Sequence, residues 1–238
     1  MGGARVCEYA WLGLVDYNVA WDLQNRLASE RASGARADTL LLLEHTPIYT
    51  TGKRDARSNL RLPEQMLGAP LVQTDRGGDI TFHGPGQLIA YPIVELREAS
   101  LAVVDYVRHL EEVIMGALRS FGIEAHVICG LTGVWVGDEK IAAIGVRVGR
   151  PSGTEGWVTT HGLALNVAVD LEWFRKIVPC GIADKGVTSI KELTGASPLT
   201  EAVAHGLAEQ FGHVFRRKMV RMRSLPSPLA THRSLAKT

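Results

Sequence analysis

No GxxxxGKS or GxxxxGKT, GxGxxG, HExxH or GxSxG pattern occurs in the 238 residues, so simple P-loop, dinucleotide-binding, zincin and α/β-hydrolase readings have no motif to rest on. No apolar run reaches 18 residues, and charges enter the opening stretch MGGARVCEYAWLG too early for a signal-peptide core, so a cytoplasmic protein without membrane attachment is expected. Cysteine is scarce. Cys7, Cys129 and Cys180 contain no CxxC pair, and their odd number fits free thiols in a reducing compartment. The eight histidines add no metal-ligand spacing, so neither a metal nor another cofactor is expected. With 26 basic residues against 25 acidic ones the net charge is only +1, which gives no ground for nucleic-acid or membrane-surface binding.

What is present describes an ordinary globular chain: 46% hydrophobic and 21% charged residues. A chain of roughly this length buries about 70% of its unfolded surface and needs no disulfide scaffold. The charges are unevenly placed. No acid follows Glu209, while Arg216, Arg217, Lys218, Arg221, Arg223, Arg233 and Lys237 supply seven cations, leaving 19 basic against 25 acidic residues in the body. A basic arm on an acidic body is read either as a solvated, disordered end or as an electrostatic guide for acidic partners.

Ala20, Leu23 and Leu27 fall at helical spacing within residues 17 to 31, and Ser33-Gly34 stops them. TLLLLE, Thr39 to Glu44, reads as a buried strand, and the loop that follows it, HTPIYTTGKRDARSN, is basic toward its end. A helix capped by Ser100 is predicted to turn Val104, Val107, Glu111, Ile114, Leu118 and Phe121 to one face. Residues 123 to 169 read as successive strands, with a hairpin turn at Gly137-Asp138-Glu139 and a strand opening at Lys140. A short helix or turn follows over Glu172 to Val178, and Thr200 is placed as the cap of a last helix. One α+β domain of antiparallel strands, with helices segregated to one side, is the economical architecture.

Two places concentrate unusual residues. Cys7 and Cys129 belong to strand-like stretches and read as small buried hydrophobes. Cys180, held in Pro179-Cys180-Gly181 off any periodic face, is either a reactive or a structural loop thiol. The block RGGDITFHGPGQ, Arg76 to Gln87, is either a backbone cradle for a ligand or a pair of tight turns. Lys140 on spacing alone is a solvated charge, although the small apolar residues after it permit burial.

Taken together, RGGDITFHGPGQ, GVWVGDEKIAAIGVRV, HGLALNV and VPCGIADKGVTSI stand in the order found in the lipoyl(octanoyl) transferase family, which residues 10 to 216 resemble. The resemblance implies an α+β, biotin/lipoyl protein ligase-like fold: a largely antiparallel mixed sheet with helices packed against it. It implies a catalytic domain over 1–216 and a basic tail over 217–238. Its nucleophile falls on Cys180 and the partner lysine on Lys140. Its substrate pocket falls on Arg76, Gly77, Gly78, Asp79, Ile80, Thr81, Phe82 and His83, on Ala143, Ile144 and Gly145, and on Gly162, Leu163 and Ala164.

The implied reaction moves octanoyl from octanoyl-acyl carrier protein to a lysine of a lipoyl domain, either of a 2-oxoacid dehydrogenase E2 or the glycine cleavage H protein. The thioester already carries the energy of the amide bond to be made, which is consistent with the missing nucleotide motif. An ATP-dependent lipoate or biotin ligase on the same fold is the nearest rival, and a non-catalytic acyl-protein binding module the rival from another class. A cysteine hydrolase lacks a clear His-Asn or His-Asp partner set.

Overall fold

The computed structural model describes residues 5–99, 101–182 and 184–223, with the Cys180 side chain outside that description. In chain order the elements are β1 (Arg5–Val15), α1 (Tyr17–Ala32), β2 (Asp38–His45), β3 (Ile48–Thr51), β4 (Leu71–Gln73), β5 (Thr81–His83), β6 (Gln87–Ile93), α2 (Leu96–Ala99) and α3 (Val103–Arg119). There follow β7 (His126–Ile128), β8 (Leu131–Val136), β9 (Glu139–Gly149), β10 (Val158–Asn166), β11 (Gly186–Val187), α4 (Ile190–Thr194), α5 (Thr200–Val214) and β12 (Arg217–Arg221). The main sheet runs β12-β1-β2-β6-β10-β9-β8-β7 with β11 beside β9, and β4-β3-β5 forms a small second sheet. Pairing in the main sheet is parallel at β12–β1, β1–β2 and β11–β9 and antiparallel elsewhere.

The unbroken leucine run makes β2 a central strand buried on both faces, the pattern expected where both sides are covered. Leu40 and Leu42 join Leu88, Ala90, Leu163 and Leu165 beneath α3 and α5. Leu41 and Leu43 join Ile89, Tyr91 and Ile93 beneath α1. Helices therefore cover both faces, rather than the single side expected from sequence. Helix α1 starts where predicted because Asp16 accepts hydrogen bonds from the Asn18 and Val19 N–H groups at 2.9 and 3.3 Å.

Helix α3 keeps Glu111, Ile114 and Leu118 of its predicted face buried and departs from it at the start. Ser100 lies outside the described residues, the helix opens at Val103, and Val104 is 69% exposed. Tyr106, Leu110, Val113, Ile114, Ala117 and Leu118 form the buried stripe. Glu111, the acid within it, is buried because Oε1 accepts from the Gly133 N–H at 3.2 Å and Oε2 accepts from Arg108 at 2.6 Å. A carboxylate thus fastens α3 to β8. Cys7 is buried as expected, but Cys129 is exposed, because β7 and β8 meet there in a tight turn too short to pack it. Thr200 does not cap α5: its hydroxyl donates to Glu44 Oε1 at 2.8 Å, and Leu199 holds the cap position.

Part of the basic arm is built into the main sheet. Residues Arg217–Arg221 form β12 against β1, and Arg217 Nε donates to Asp38 Oδ2 at 2.8 Å, so this part of the basic arm is sheet edge; residues 224–238 lie outside the described residues. The other oxygen of the buried Asp38 accepts from Arg31 Nε at 2.7 Å. One carboxylate thereby joins α1, β2 and the last strand. Asp38→Ala leaves two largely buried guanidinium groups short of an anion, and a loss of about 3–5 kcal/mol in unfolding free energy is expected from urea titration.

Candidate active site

A pocket of about 460 Å³ opens where β9 and β10 run side by side. Ala143 pairs with Ala164, Ile144 with Leu163 and Gly145 with Gly162, so small residues face one another and leave room for a ligand. The Arg76–Asp79 loop closes one side. A Cβ at Gly145 would lie 2.8 Å from the Gly77 carbonyl oxygen, so only glycine lets the loop settle there.

The loop is held by a buried guanidinium. Arg76 donates to the carbonyl oxygens of Thr50 at 2.7 Å, Asp79 at 2.8 Å and Gly77 at 3.0 Å, and to Thr50 Oγ1 at 2.9 Å. Its hydrogen bonding is thus turned toward shaping the loop. The Gly78 and Asp79 N–H groups find no acceptor among the described residues, and both residues line the pocket.

Strand alternation then sorts the residues of the implied pocket. Thr81 and His83 face the cavity, together with Arg76, Gly78, Asp79 and the six residues named on β9 and β10. Ile80 and Phe82 face away, into a cluster with Tyr49, Leu67, Phe174 and Ile177, where Phe82 stacks on Trp173 at 4.8 Å. Gly77 lines a neighbouring open groove. Three of the implied substrate residues therefore anchor or flank the loop and stand outside the cavity wall.

Four further wall residues, Tyr17, Ile89, Tyr91 and His161, lay outside the sequence reading, as did His45 behind them. His45 Nδ1–H donates to the Val15 carbonyl at 2.9 Å and Nε2 accepts from the Tyr91 hydroxyl at 2.7 Å. The Gln87 amide donates to Phe82 O and Asn166 Oδ1, so its oxygen accepts the His83 Nδ1 proton at 2.8 Å, and His83 Nε2 faces the Thr50 hydroxyl at 3.3 Å. Burial pushes His45 down to about 4, and burial with the adjacent His45 and Arg76 charges holds His83 well below the usual imidazole range. His45 and His83 are therefore neutral imidazoles at pH 7.

Lys140 is only 6% exposed, against the solvated position that its spacing alone indicated. Its Nζ lies 4.7 Å from the centre of the Trp135 ring, and it has no carboxylate partner among the described residues. A small cavity beside the main pocket is lined by Lys140 together with Thr81, Ala143, Ala164, Asn166 and Pro179. The Pro179–Gly181 turn is tethered on both sides: the Val178 N–H donates to Asn59 O at 2.7 Å, and β11 pairs Val187 with Lys140. Among the described residues no cluster of His, Cys, Asp and Glu could hold a metal.

The family model of the lipoyl protein ligase A/B catalytic domain matches residues 16–212. An octanoyltransferase of Koribacter versatilis (strain Ellin345) is 44% identical over 232 residues, covering 94% of this chain and 90% of the relative. One from Chloroflexus aurantiacus (strain ATCC 29366 / DSM 635 / J-10-fl) is 48% identical over 216 residues, covering 89% and 95%. The chain belongs to the octanoyltransferases. A bipartite lipoate protein ligase from Thermoplasma acidophilum has the same fold, with a TM-score of 0.71 at 15% identity over 98% of this chain and 93% of that one.

For an octanoyltransferase, the wall of Ile89, Ile144, Leu163 and alanines is the apolar part of the pocket, and the histidine and tyrosine end its polar limit. The neutral histidines give stability a sign. The unfolded chain takes up a proton at His45 below pH about 6.5 while the folded chain resists until about 4, so stability is full above that window and falls through it as pH drops. Burial of His45 accounts for about 3 kcal/mol of that fall. Urea titrations at pH 7 and pH 4.5 should show it, and a His45→Gln protein should show a shallower dependence; an equal slope would reject the assignment.

Proposed function

We propose that the protein transfers octanoyl from octanoyl-acyl carrier protein to a specific lysine of a lipoyl domain or of the glycine cleavage H protein, through a thioester on Cys180, as the first step of endogenous lipoate synthesis. The observation that carries this reading is the buried Lys140, lining one cavity with Pro179 and sharing Ala143 and Ala164 with the apolar pocket. A cytoplasmic setting keeps the thiol reduced.

In the first half-reaction the Cys180 thiolate attacks the donor carbonyl, a tetrahedral oxyanion forms, and its collapse expels the carrier thiolate, which takes a proton. In the second, the amine of the acceptor lysine attacks the enzyme thioester and loses a proton, and the Cys180 thiolate leaves. Lys140 serves both halves: as an ammonium it stabilises the thiolate, and as a neutral amine it accepts a proton from the thiol or the attacking amine. One thioester is exchanged for another at little cost, and aminolysis to the amide is downhill, so no adenylate is required.

Activation of the thiol supplies only part of the rate. At a reference pKa of about 8.5 only a few per cent is thiolate at pH 7, so full ionisation gives about 30-fold, or ~2 kcal/mol. Each hydrogen-bond donor to the oxyanion is worth about 3 kcal/mol, and the N–H groups of Gly78 and Asp79, which have no acceptor among the described residues, are the loop's candidates for that role. Holding the chain in the pocket against the paired strands β9 and β10 supplies positioning.

Intact-protein mass after mixing with octanoyl-acyl carrier protein, without ATP, should gain one octanoyl group, mapped by peptide analysis to Cys180 and absent from Cys180→Ala. Active enzyme lacking that adduct would reject the covalent route. A strict ATP requirement would favour a ligase, and binding without turnover, untouched by Cys180→Ala, would favour a binding module. Lys140→Ala, with folding checked by circular dichroism, should acylate about 100-fold more slowly or worse; an unchanged rate removes Lys140 from the mechanism.

A further inference from the structure

An open groove of about 1380 Å³ leads from the surface to Lys140, passing Gly77 and Gly78, and its rim carries Lys53, Arg54 and Arg147. The two neighbours Lys53 and Arg54 are exposed, and neither is paired with a carboxylate among the described residues. The acids that line the groove are already engaged, Asp75 accepting from Arg147 at 3.0 Å and His161 at 2.7 Å and Asp79 from Asn59 at 2.9 Å, while Asp55, next in sequence to Arg54, pairs with Arg57 at 2.8 Å. The rim keeps a cationic excess.

Those cations are fixed to the site by backbone. The Lys53 N–H donates to the Arg76 carbonyl at 3.1 Å, and the Gln73 side chain donates to Lys53 O at 3.2 Å. A Cβ at Gly52 would lie 2.1 Å from the Gly78 carbonyl oxygen, so the segment before Lys53 lies directly on the glycine-rich loop. The basic stretch GKR is therefore built into one wall of the entrance. A groove lined by Lys140 and also carrying the cations Lys53 and Arg54 fits a linear donor that carries its acyl group on a thiol and an anion further back.

Resting on the donor named above, we infer that Lys53 and Arg54 receive the phosphate of the carrier protein's phosphodiester-linked thiol arm, and that this contact distinguishes the carrier-borne acyl group from a free thioester. Phosphate recognition by paired Lys and Arg is charge-assisted hydrogen bonding, sensitive to salt at this exposure. The bound arm lies along the groove with the acyl chain in the pocket against the paired strands β9 and β10.

The test compares wild-type with the double variant Lys53→Glu/Arg54→Glu on two donors, octanoyl-acyl carrier protein and octanoyl-pantetheine, which has the same thioester and no phosphate. Expected is an increase in KM for the carrier of about tenfold at low salt, with kcat for both donors and KM for octanoyl-pantetheine unchanged. The wild-type KM for the carrier should rise with salt and the variant's should not. Equal losses on both donors would overturn the inference in favour of a supporting role for the loop, an unchanged carrier KM would overturn it outright, and a loss confined to the acceptor's KM would reassign the rim to the acceptor protein. Calorimetric binding of 4′-phosphopantetheine and of pantetheine scores it without turnover. The phosphorylated ligand should bind wild-type more tightly and lose that advantage in the variant, so this result stands or falls separately from the Cys180 chemistry.

Discussion

The site depends on one buried cation that faces backbone. The Arg76 guanidinium holds the carbonyls of Thr50, Gly77 and Asp79, which ties the small sheet to the glycine-rich turn and settles the turn over Gly145. With those carbonyls drawn toward the guanidinium, the N–H groups of Gly78 and Asp79 are left for a ligand. A loop of glycines has high conformational entropy when free. Arg76 restricts that freedom during folding, so little of it remains to be lost when a substrate enters.

Much of the fold was legible in periodicity, and the misses have physical causes. TLLLLE marked a buried strand, but a run without alternation does not say which side each leucine takes, so helices on both faces were not foreseen. In α3 the apolar Val104 lay on the periodic stripe yet sits in the exposed first turn, while the acidic Glu111 is buried because a neighbouring strand offers it an N–H. Tertiary partners decided both. Arg217 looked like tail because its anion, Asp38, lies far away in sequence.

The site was legible in the part of its wall formed by β5, β9 and β10 and not in its histidine and tyrosine end. Once β5, β9 and β10 are strands, alternation alone separates Thr81 and His83 from Phe82. Tyr17, His45, Tyr91 and His161 come from four separate elements and meet only through the sheet topology. His161 carried a local signal only in hindsight, since it stands just before a glycine in HGLALN. Its φ of 56° is unusual for a non-glycine residue, and its imidazole reaches Asp75, the residue before Arg76. Backbone strain in β10 is thus coupled to the start of the loop that shapes the pocket.

The turn bearing Cys180 is placed by backbone pairing on either side, and the same pairing involves Lys140: β11 lies beside β9 with Val187 opposite Lys140, and the Thr188 N–H donates to the Lys140 carbonyl at 3.0 Å. A displacement of that segment along β9 would break these hydrogen bonds before it changed any side-chain contact. In the proposed reaction this matters more than a strong ion pair would. No carboxylate reaches Lys140 among the described residues, and its Nζ rests 4.7 Å from the centre of the Trp135 ring. The lysine is buried and located by backbone, so its position beside the Pro179–Gly181 turn is set by the β9–β11 pairing and needs no carboxylate to hold it.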